Sequence, residues 1–255
     1  QNIINAENSG TTIRIYAAMA ALTGRGFTVL TGDASLRRRP MQPLLDGLSQ
    51  LGVVCFSSQM NGLSPLLIKG GGIRGGHVTI NGNSSSQFLS SLLISSIYAT
   101  RPVSIQVRGQ QVSKPYVKST LSSMQKFGVL VDSEKDLSEY YIENKKYRPT
   151  QFQVPGDFSA AALLLVAGVM VGGTLTVKGL NFSLPQADSK ILEILKEMNA
   201  EIKVNMRRGE VRVTGSKTIE GGTFDLTDAP DLLPVISILA LKATSPVKIT
   251  GIAHA

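Results

Sequence analysis

Gly82-Asn83-Ser84-Ser85-Ser86-Gln87-Phe88-Leu89, continuing to Tyr98, sets a pattern that the rest of the chain repeats. A cluster of small polar residues precedes an apolar segment, Phe88–Ile97, that is predicted to be helical. Serine hydroxyls there can accept hydrogen bonds from the free N–H groups of the first helical turn. The same helix start, with its hydroxyls, amide and backbone N–H groups, also suits an anion or a polyol. A single cluster indicates only a helix cap, so its meaning depends on whether it recurs.

The element recurs at intervals of roughly 75 residues, which predicts an internal repeat. Helix starts with a capping residue are predicted at Asn8, Ser85, Asp157 and Asp231. The helices that follow are predicted over Ile13–Leu22, Phe88–Ile97, Ala160–Val171 and Leu232–Leu241. This period exceeds that of the usual solenoids and therefore favours compact repeated subdomains.

The remainder of each unit is also regular. Strands with alternating β-branched residues are predicted over Phe27–Leu30, Val103–Val107, Thr174–Val177 and Val247–Thr250. Three of them lead into loops that end at Pro40, Pro115 and Pro185, where proline predicts the first position of a second helix. These second helices are expected to end at Gly52, Gly128 and Asn199, residue types that tolerate the left-handed conformation. Two strands then close the unit, as Glu201–Val204 and Val211–Val213 do in the third.

The sequence thus predicts an α/β (α+β) fold of about three and a half βαβαββ units. The best linker is Lys145–Thr150, a polar stretch that contains Pro149. We therefore expect two repeat units in residues 1–150 and one and a half in residues 151–255. The chain begins at Gln1 without a methionine and stops at Ala255 just after a predicted strand, so we expect a central fragment that lacks both ends.

Composition restricts the kinds of partner. The net charge of +8 at pH 7 would suit a protein that binds nucleic acid. Aromatic residues make up only 5% of the chain and tryptophan is absent, however, so base stacking is poorly supported. The basic residues are scattered apart from Arg37–Arg39 and Arg207–Arg208, and a small anionic substrate explains the charge equally well. No apolar run predicts a membrane span. Cys55 is the sole cysteine, which favours a reducing compartment, and we expect the cytoplasm.

Six segments resemble, in the same order, those of the 5-enolpyruvylshikimate-3-phosphate synthase family. They are Asn8–Arg14, Thr31–Pro40, Ser85–Leu89, Val112–Tyr116, Gly156-Asp157 and Ala229–Asp231. The resemblance covers essentially the whole chain and implies a two-domain inside-out α/β barrel of the enolpyruvyl transferase type. Residues 1–150 would then belong to the first, shikimate-binding domain, and residues 151–255 to the second.

The resemblance implies transfer of the enolpyruvyl group of phosphoenolpyruvate to the 5-hydroxyl of shikimate 3-phosphate, with release of phosphate. This step belongs to the shikimate pathway of chorismate and aromatic amino-acid biosynthesis. Two dianionic substrates must be held together, which requires cations and helix N-termini directed at one cleft. The two substrates are the expected partners of a monomer. No metal or organic cofactor is implied.

By position in the family's motifs, Ser85, Ser86 and Gln87 would bind the phosphate and ring hydroxyls of shikimate 3-phosphate. Ser113 would add a hydroxyl to the same phosphate, with Tyr116 nearby. These roles are implied by the resemblance, and in isolation each serine would indicate only a helix cap or a surface residue.

The resemblance also implies the residues for phosphoenolpyruvate and for proton transfer. Gly10 would let the backbone approach phosphoenolpyruvate where a Cβ would crowd it. Arg39 would make a forked contact with its phosphate or carboxylate, a geometry that lysine cannot reproduce. Asp231 would be the catalytic general base for the 5-hydroxyl. Arg14 would be a support, and Asn8 and Asp157 mainly caps.

Some of the family's motifs do not fall within these 255 residues, among them its opening Lys-Ser motif and the Lys-Glu segment expected just past Ala255. The resemblance therefore predicts that the chain by itself is inactive. His254 falls where the family commonly has asparagine, which leaves its role open.

The sequence leaves other hypotheses about the function open. The sister enzyme that transfers enolpyruvyl to UDP-N-acetylglucosamine is the alternative, but it typically carries a reactive cysteine in the loop equivalent to Asp33–Arg39, which here has none. RNA 3′-phosphate cyclase shares the repeated unit, and its nucleotide motifs are absent. A non-catalytic nucleic-acid binder would predict a steep salt dependence of DNA or RNA binding. A purely structural domain would leave the family's specific segments unexplained.

Overall fold

The structure is a computed structural model, and it describes residues 2–253. His254, whose role the sequence leaves open, lies outside the described residues. The chain divides into two compact units, with the division between Thr150 and Gln151.

The first unit alternates strands and helices. Its strands are β1 (Ile3–Asn5), β2 (Phe27–Thr31), β3 (Cys55–Ser57), β4 (Leu66–Lys69), β5 (Gly76–Asn81), β6 (Val103–Arg108), β7 (Asp132–Ser133) and β8 (Glu139–Ile142). Its helices are α1 (Gly10–Ala20), α2 (Gln42–Gln50), α3 (Ser86–Ser96) and α4 (Lys114–Lys126). A short 3-10 turn, Leu36–Arg38, precedes α2.

The second unit continues the same alternation. Its strands are β9 (Thr174–Val177), β10 (Glu201–Asn205), β11 (Glu210–Thr214), β12 (Gly222–Asp225) and β13 (Val247–Thr250). Its helices are α5 (Phe158–Val171), α6 (Ile191–Glu197) and α7 (Leu233–Ala240), with 3-10 turns at Ala187–Lys190 and Pro230–Leu232.

Two sheets in the first unit have the same topology, and this confirms the predicted repeat. Their strand orders are β1-β2-β4-β3 and β5-β6-β8-β7. In each sheet the first pair is parallel, with Ile3 opposite Val29 and Gly76 opposite Val103, and the other pairs are antiparallel. A parallel pair needs a crossover, which α1 and α3 provide. In the second unit, the order β10-β11-β9 and the parallel pair β12-β13 follow the same scheme.

Helices α1 and α3 pack against each other in the core of the first unit. Small buried residues of α1, Ala17 and Ala18, allow the helices to approach closely. A hydrogen bond joins the two helices, since the Ser91 hydroxyl of α3 donates to the Arg14 carbonyl of α1 at 2.6 Å. Within α3, the Ser95 hydroxyl donates to the Ser91 carbonyl at 2.7 Å. The starts of the two helices are thereby held side by side, which positions the candidate site.

In the second unit, α5 packs against β9, β11 and α7. Asp157 caps its N-terminus by accepting from the backbone N–H groups of Ser159 and Ala160 at 3.0 and 3.1 Å, which confirms the predicted cap. At the other end, the Lys242 ammonium donates to the carbonyls of Val169 and Met170 at 2.7 and 3.0 Å. A cation there satisfies terminal carbonyls and suits the negative end of the helix dipole.

The predicted second helices end where the sequence places them. Gly52, Gly128 and Asn199 have φ angles of 84°, 84° and 57°, so all three adopt the left-handed conformation that was expected of them.

Two of the three proline predictions are wrong. Pro115 does lie in the first turn of α4, but α2 begins at Gln42 and carries Pro43 in its first turn, so Pro40 ends a loop instead. The cause is Met41, whose side chain is buried and whose N–H donates to the Gly62 carbonyl at 2.8 Å, which holds this stretch outside the helix. Pro185 likewise precedes a 3-10 turn, and α6 starts only at Ile191.

Two of the predicted caps are also wrong. Helix α1 is capped by Ser9 and not by Asn8, because the Ser9 hydroxyl accepts from the Thr12 N–H at 3.1 Å. Asp231 does not cap α7: it lies within the 3-10 turn Pro230–Leu232, and α7 begins after Leu232 without a side-chain cap.

We expect replacement of Ser9 by alanine to lower the free energy of unfolding by about 1 kcal/mol, because it leaves the Thr12 N–H without its partner. Urea denaturation with an unchanged m-value would measure the effect. The matched control is Ser35→Ala, at a helix start where the serine makes no capping hydrogen bond, and it should stay within about 0.5 kcal/mol of the parent. Equal losses in the two variants would contradict the assignment of the cap.

Candidate functional site: two adjoining helix starts

The starts of α1 and α3 meet through a network of side chains centred on Arg14. Its Nη1 atom donates to Gln87 Oε1 at 2.6 Å and lies 3.2 Å from Ser85 Oγ. The Gln87 Nε2 atom in turn donates to Thr11 Oγ1 at 3.0 Å. Ser85 caps α3, since its hydroxyl accepts from the Gln87 N–H at 3.4 Å, and Ser86 is the first residue of that helix. The structure therefore brings Ser85, Ser86 and Gln87 to the beginning of α1.

Arg39 reaches the same helix start from the loop after β2. Its Nη2 atom donates to Asn8 Oδ1 at 3.2 Å, and Asn8 Nδ2 donates to Asp33 Oδ2 at 2.7 Å. Asp33 also accepts from the Leu36 N–H at 2.7 Å, and this hydrogen bond is the main reason that the pKa of Asp33 lies below its ordinary value. The chain of contacts from Asp33 through Asn8 fixes the position of the Arg39 guanidinium.

Gly10, the first residue of α1, lies against this guanidinium. A Cβ atom at position 10 would lie 2.8 Å from Arg39 Nη1 and 3.7 Å from Arg14 Nη1. Glycine is thus required here if Arg39 is to keep its place beside the helix start.

Ser113 belongs to the neighbouring loop. It is buried, has a left-handed φ of 57°, and immediately precedes α4. The Val112 N–H donates to the Gly82 carbonyl at 3.1 Å, which ties this loop to the one that leads into Ser85. A Cβ at Gly82 would lie 2.9 Å from the Gln110 carbonyl oxygen, so the two loops are in close contact.

Both arginines of the network lack an acidic partner within hydrogen-bonding distance. Neither Arg14 nor Arg39 forms an ion pair with any residue between Asn2 and Ala253. Arg14 lies over the Phe88 ring, 5.0 Å from its centroid, and its buried Nε has no hydrogen-bond partner within the same range. Burial lowers the pKa of Arg14, and the charge of Arg39 lowers it further. Two helix N-termini beside two arginines that form no direct ion pair suit an anion.

Asp231 lies in the second unit, where its side chain is exposed on the 3-10 turn Pro230–Leu232. A cavity of about 640 Å³ is also found in this unit, lined by the Arg207–Arg208 turn, Phe182 and Gln153–Pro155, and none of the predicted site residues lines it.

Among residues 2–253, no cluster of histidine, cysteine, aspartate or glutamate could hold a metal ion. Within that range, no helix is long and apolar enough to cross a membrane.

The bridging contacts of Asn8, Thr11 and Asp33 are not predicted by the sequence. The predicted cap Asn8 instead connects Asp33 to Arg39 across 25 and 31 positions of the chain. No local pattern signals such a pair. A comparison of corresponding positions in successive repeats is the one signal that could have placed these loops side by side.

The repeated units and their sheet order are those of the enolpyruvyl transferase fold. The enolpyruvyl transferase NikO from Streptomyces tendae has this fold, with a TM-score of 0.67 and 15% identity over 92% of this chain and 54% of that one. EPSP synthase from Acinetobacter baumannii reaches a TM-score of 0.74 at 25% identity, over 97% of this chain and 57% of that one.

The family can be named more narrowly. A family model described as EPSP synthase (3-phosphoshikimate 1-carboxyvinyltransferase) matches residues 1–255, and this chain belongs to that family. It is 44% identical to the 3-phosphoshikimate 1-carboxyvinyltransferase of Methanosphaera stadtmanae, over 100% of this chain and 60% of the relative. The corresponding protein of Nitrosopumilus maritimus is also 44% identical, over 99% of this chain and 58% of the relative. The chain thus spans about three fifths of the length of the curated relatives that it matches.

Proposed function

We propose that this protein takes part in the transfer of the enolpyruvyl group of phosphoenolpyruvate to the 5-hydroxyl of shikimate 3-phosphate, with release of phosphate. The observation that carries the proposal is the meeting of two helix starts around Arg14 and Arg39, neither of which is ion-paired within residues 2–253. Such a site suits substrates that carry several negative charges. Membership of the EPSP synthase family supports the choice of substrates.

In this proposal, shikimate 3-phosphate binds at the start of α3. Ser85, Ser86 and Gln87 provide hydroxyl and amide groups at the positive end of the helix dipole, where a phosphate is stabilised. Ser113 adds a hydroxyl from the loop tied to Gly82. Residues up to Thr150 would then form part of the shikimate-binding domain.

Phosphoenolpyruvate binds beside Gly10, where the Arg39 guanidinium offers a planar fork to a phosphate or carboxylate group. Asp231 takes the proton of the 5-hydroxyl, whose oxygen attacks the substituted carbon of the enol while the methylene carbon gains a proton. The tetrahedral intermediate then loses phosphate together with a proton of the methyl group, which restores the double bond on the new ether. Carboxylate and cation side chains suit this chemistry, because charge develops on both the hydroxyl and the leaving phosphate.

Transfer to UDP-N-acetylglucosamine is the weaker candidate. The loop Asp33–Arg39 contains no cysteine, and the family match favours the shikimate enzyme over this alternative. The sequence offers few aromatic residues on which nucleic-acid bases could stack, so nucleic-acid binding is not favoured. We further propose that the protein acts in the cytoplasm as a monomer.

The test of the proposal is calorimetric binding of shikimate 3-phosphate. We expect the parent chain to bind it and Gln87→Ala to bind about tenfold more weakly, since each hydrogen bond to a charged group contributes about 1.5 kcal/mol or more. The matched control is Gln125→Ala, an exposed glutamine of α4, which should bind like the parent. Binding of UDP-N-acetylglucosamine in place of shikimate 3-phosphate would overturn the proposal, as would binding of neither.

A further inference from the structure

Arg14 determines which atoms of its neighbours face outward, because its guanidinium has five N–H donors and no acceptor. Every atom that it contacts by hydrogen bonding must therefore accept. The Gln87 oxygen lies 2.6 Å from Arg14 Nη1, so the side-chain amide is oriented with its oxygen inward. The opposite orientation would place two donors against each other.

Because its oxygen faces Arg14, the Gln87 side chain can offer mainly N–H donors to further hydrogen-bond partners. One amide N–H is directed at Thr11 Oγ1 at 3.0 Å, which leaves the second N–H for another partner. Thr11 is exposed, and its hydroxyl can exchange this bond for one with solvent.

The same argument applies to Ser85. Its oxygen accepts from Arg14 Nη1 at 3.2 Å and from the Gln87 N–H at 3.4 Å. A hydroxyl has two acceptor positions and one donor, so both acceptor positions are occupied and the O–H remains.

Arg14 can hold this arrangement because little competes for it. It makes no ion pair in the described chain, its side chain lies on the Phe88 ring, and its carbonyl accepts from Ser91, which fixes that turn of α1 to α3. An aspartate or glutamate in contact with it would draw the guanidinium away from Gln87 and Ser85.

We propose that Arg14 is a positioning residue that fixes Ser85 and Gln87 as hydrogen-bond donors, so that the site selects ligand groups that only accept. This inference rests on the proposed function and specifies how that site distinguishes its ligand. A fully ionised phosphate monoester is an acceptor at every terminal oxygen, and it matches these donors. A neutral hydroxyl or amide that must donate at the same position does not.

The variant Gln87→Glu distinguishes between two orientations of the Gln87 amide, in which either its N–H group or its oxygen faces the ligand. Glutamate keeps the contact with Arg14 as a charged pair but has no N–H to offer, so we expect binding of shikimate 3-phosphate to fall at least as far as in Gln87→Ala, with no loss in the thermal unfolding midpoint. If Gln87 instead presents its oxygen to the ligand, Gln87→Glu retains binding better than Gln87→Ala, and the proposal is wrong.

A double-mutant cycle tests whether Arg14 acts through its neighbours. We expect Arg14→Met to weaken binding about tenfold in the parent but much less in a Ser85→Ala/Gln87→Ala background, because its partners are then absent. Equal effects in both backgrounds would mean that Arg14 contacts the ligand directly and would overturn the positioning role. Arg38→Met, which removes the exposed arginine that precedes Arg39 in the sequence, is the charge-matched control and should change binding little.

A readout without ligand keeps this inference separate from the proposed function. In the ¹⁵N–¹H spectrum of the unliganded chain, Arg14→Met should shift the Gln87 side-chain amide signals and speed their exchange with solvent, whereas Arg38→Met should not. Unchanged Gln87 signals would overturn the inference even if shikimate 3-phosphate binds. If the signals shift and the parent binds no shikimate 3-phosphate, the positioning role stands and the proposed function falls.

Discussion

Replacement of Asp231 by asparagine is expected to lower kcat for enolpyruvyl transfer by about 10²- to 10⁴-fold, the range typical for loss of a general base. The carboxamide is close to the carboxylate in size but cannot take the proton of the 5-hydroxyl. The side chain is exposed on its 3-10 turn, so the change should leave folding largely intact. Phosphate release measured on the whole gene product, with both substrates saturating, gives kcat directly.

The contrast between kcat and binding makes this prediction specific. Because the proposed role is proton transfer, the KM for each substrate should change far less than kcat. Glu193→Gln, which removes an exposed carboxylate of α6, is the control and should leave kcat within about twofold of the parent. A kcat that is unchanged in Asp231→Asn would remove Asp231 from the mechanism and leave the binding roles of the first unit untouched.

The fold was predictable because its signals are local. The bounds of strands Thr174–Val177 and Val247–Thr250 agree with the predicted ones, since each strand is rich in β-branched residues and is flanked by glycine or proline. The starts of α1, α3 and α5 lie two or three residues before the predicted ones, as in α1, where the helix begins at Gly10 and not at Ile13. Helix α7 begins one residue after its predicted start at Leu232. The polar first turn of a helix has no apolar periodicity, so only its cap marks it.

The details of the candidate site were less accessible. The resemblance singled out Ser85, Gln87 and Arg39, but it could not show that Arg14 reaches across 71 and 73 positions to hold the first two. Nor could the resemblance show that Asn8 accepts a hydrogen bond from Arg39 and does not cap α1. Such contacts depend on how two repeats pack against each other, and this packing involves buried small residues of both α1 and α3. The sequence of one segment alone therefore does not predict them.

Gly10→Ala is expected to weaken the binding of phosphoenolpyruvate about 10- to 100-fold while leaving the fold as stable as before or more stable. The added Cβ would lie 2.8 Å from Arg39 Nη1, too close for an ordinary contact. Because the obstructed atom is the end of a flexible side chain, Arg39 moves and the backbone stays. Alanine also favours a helix over glycine by about 1 kcal/mol, which opposes any loss of stability. The KM for phosphoenolpyruvate, measured on the whole gene product, and the urea midpoint would measure the two effects.

Two further measurements decide whether the effect passes through Arg39. The KM for shikimate 3-phosphate should change little in Gly10→Ala, since Ser85 and Gln87 are held by Arg14, whose nearest atom would lie 3.7 Å from the new methyl group, an ordinary van der Waals distance. In an Arg39→Ala background, Gly10→Ala should have almost no additional effect on phosphoenolpyruvate, because the displaced group is already absent. If the two losses simply add, glycine is needed for direct approach of the substrate to the helix start, and Arg39 acts independently of it.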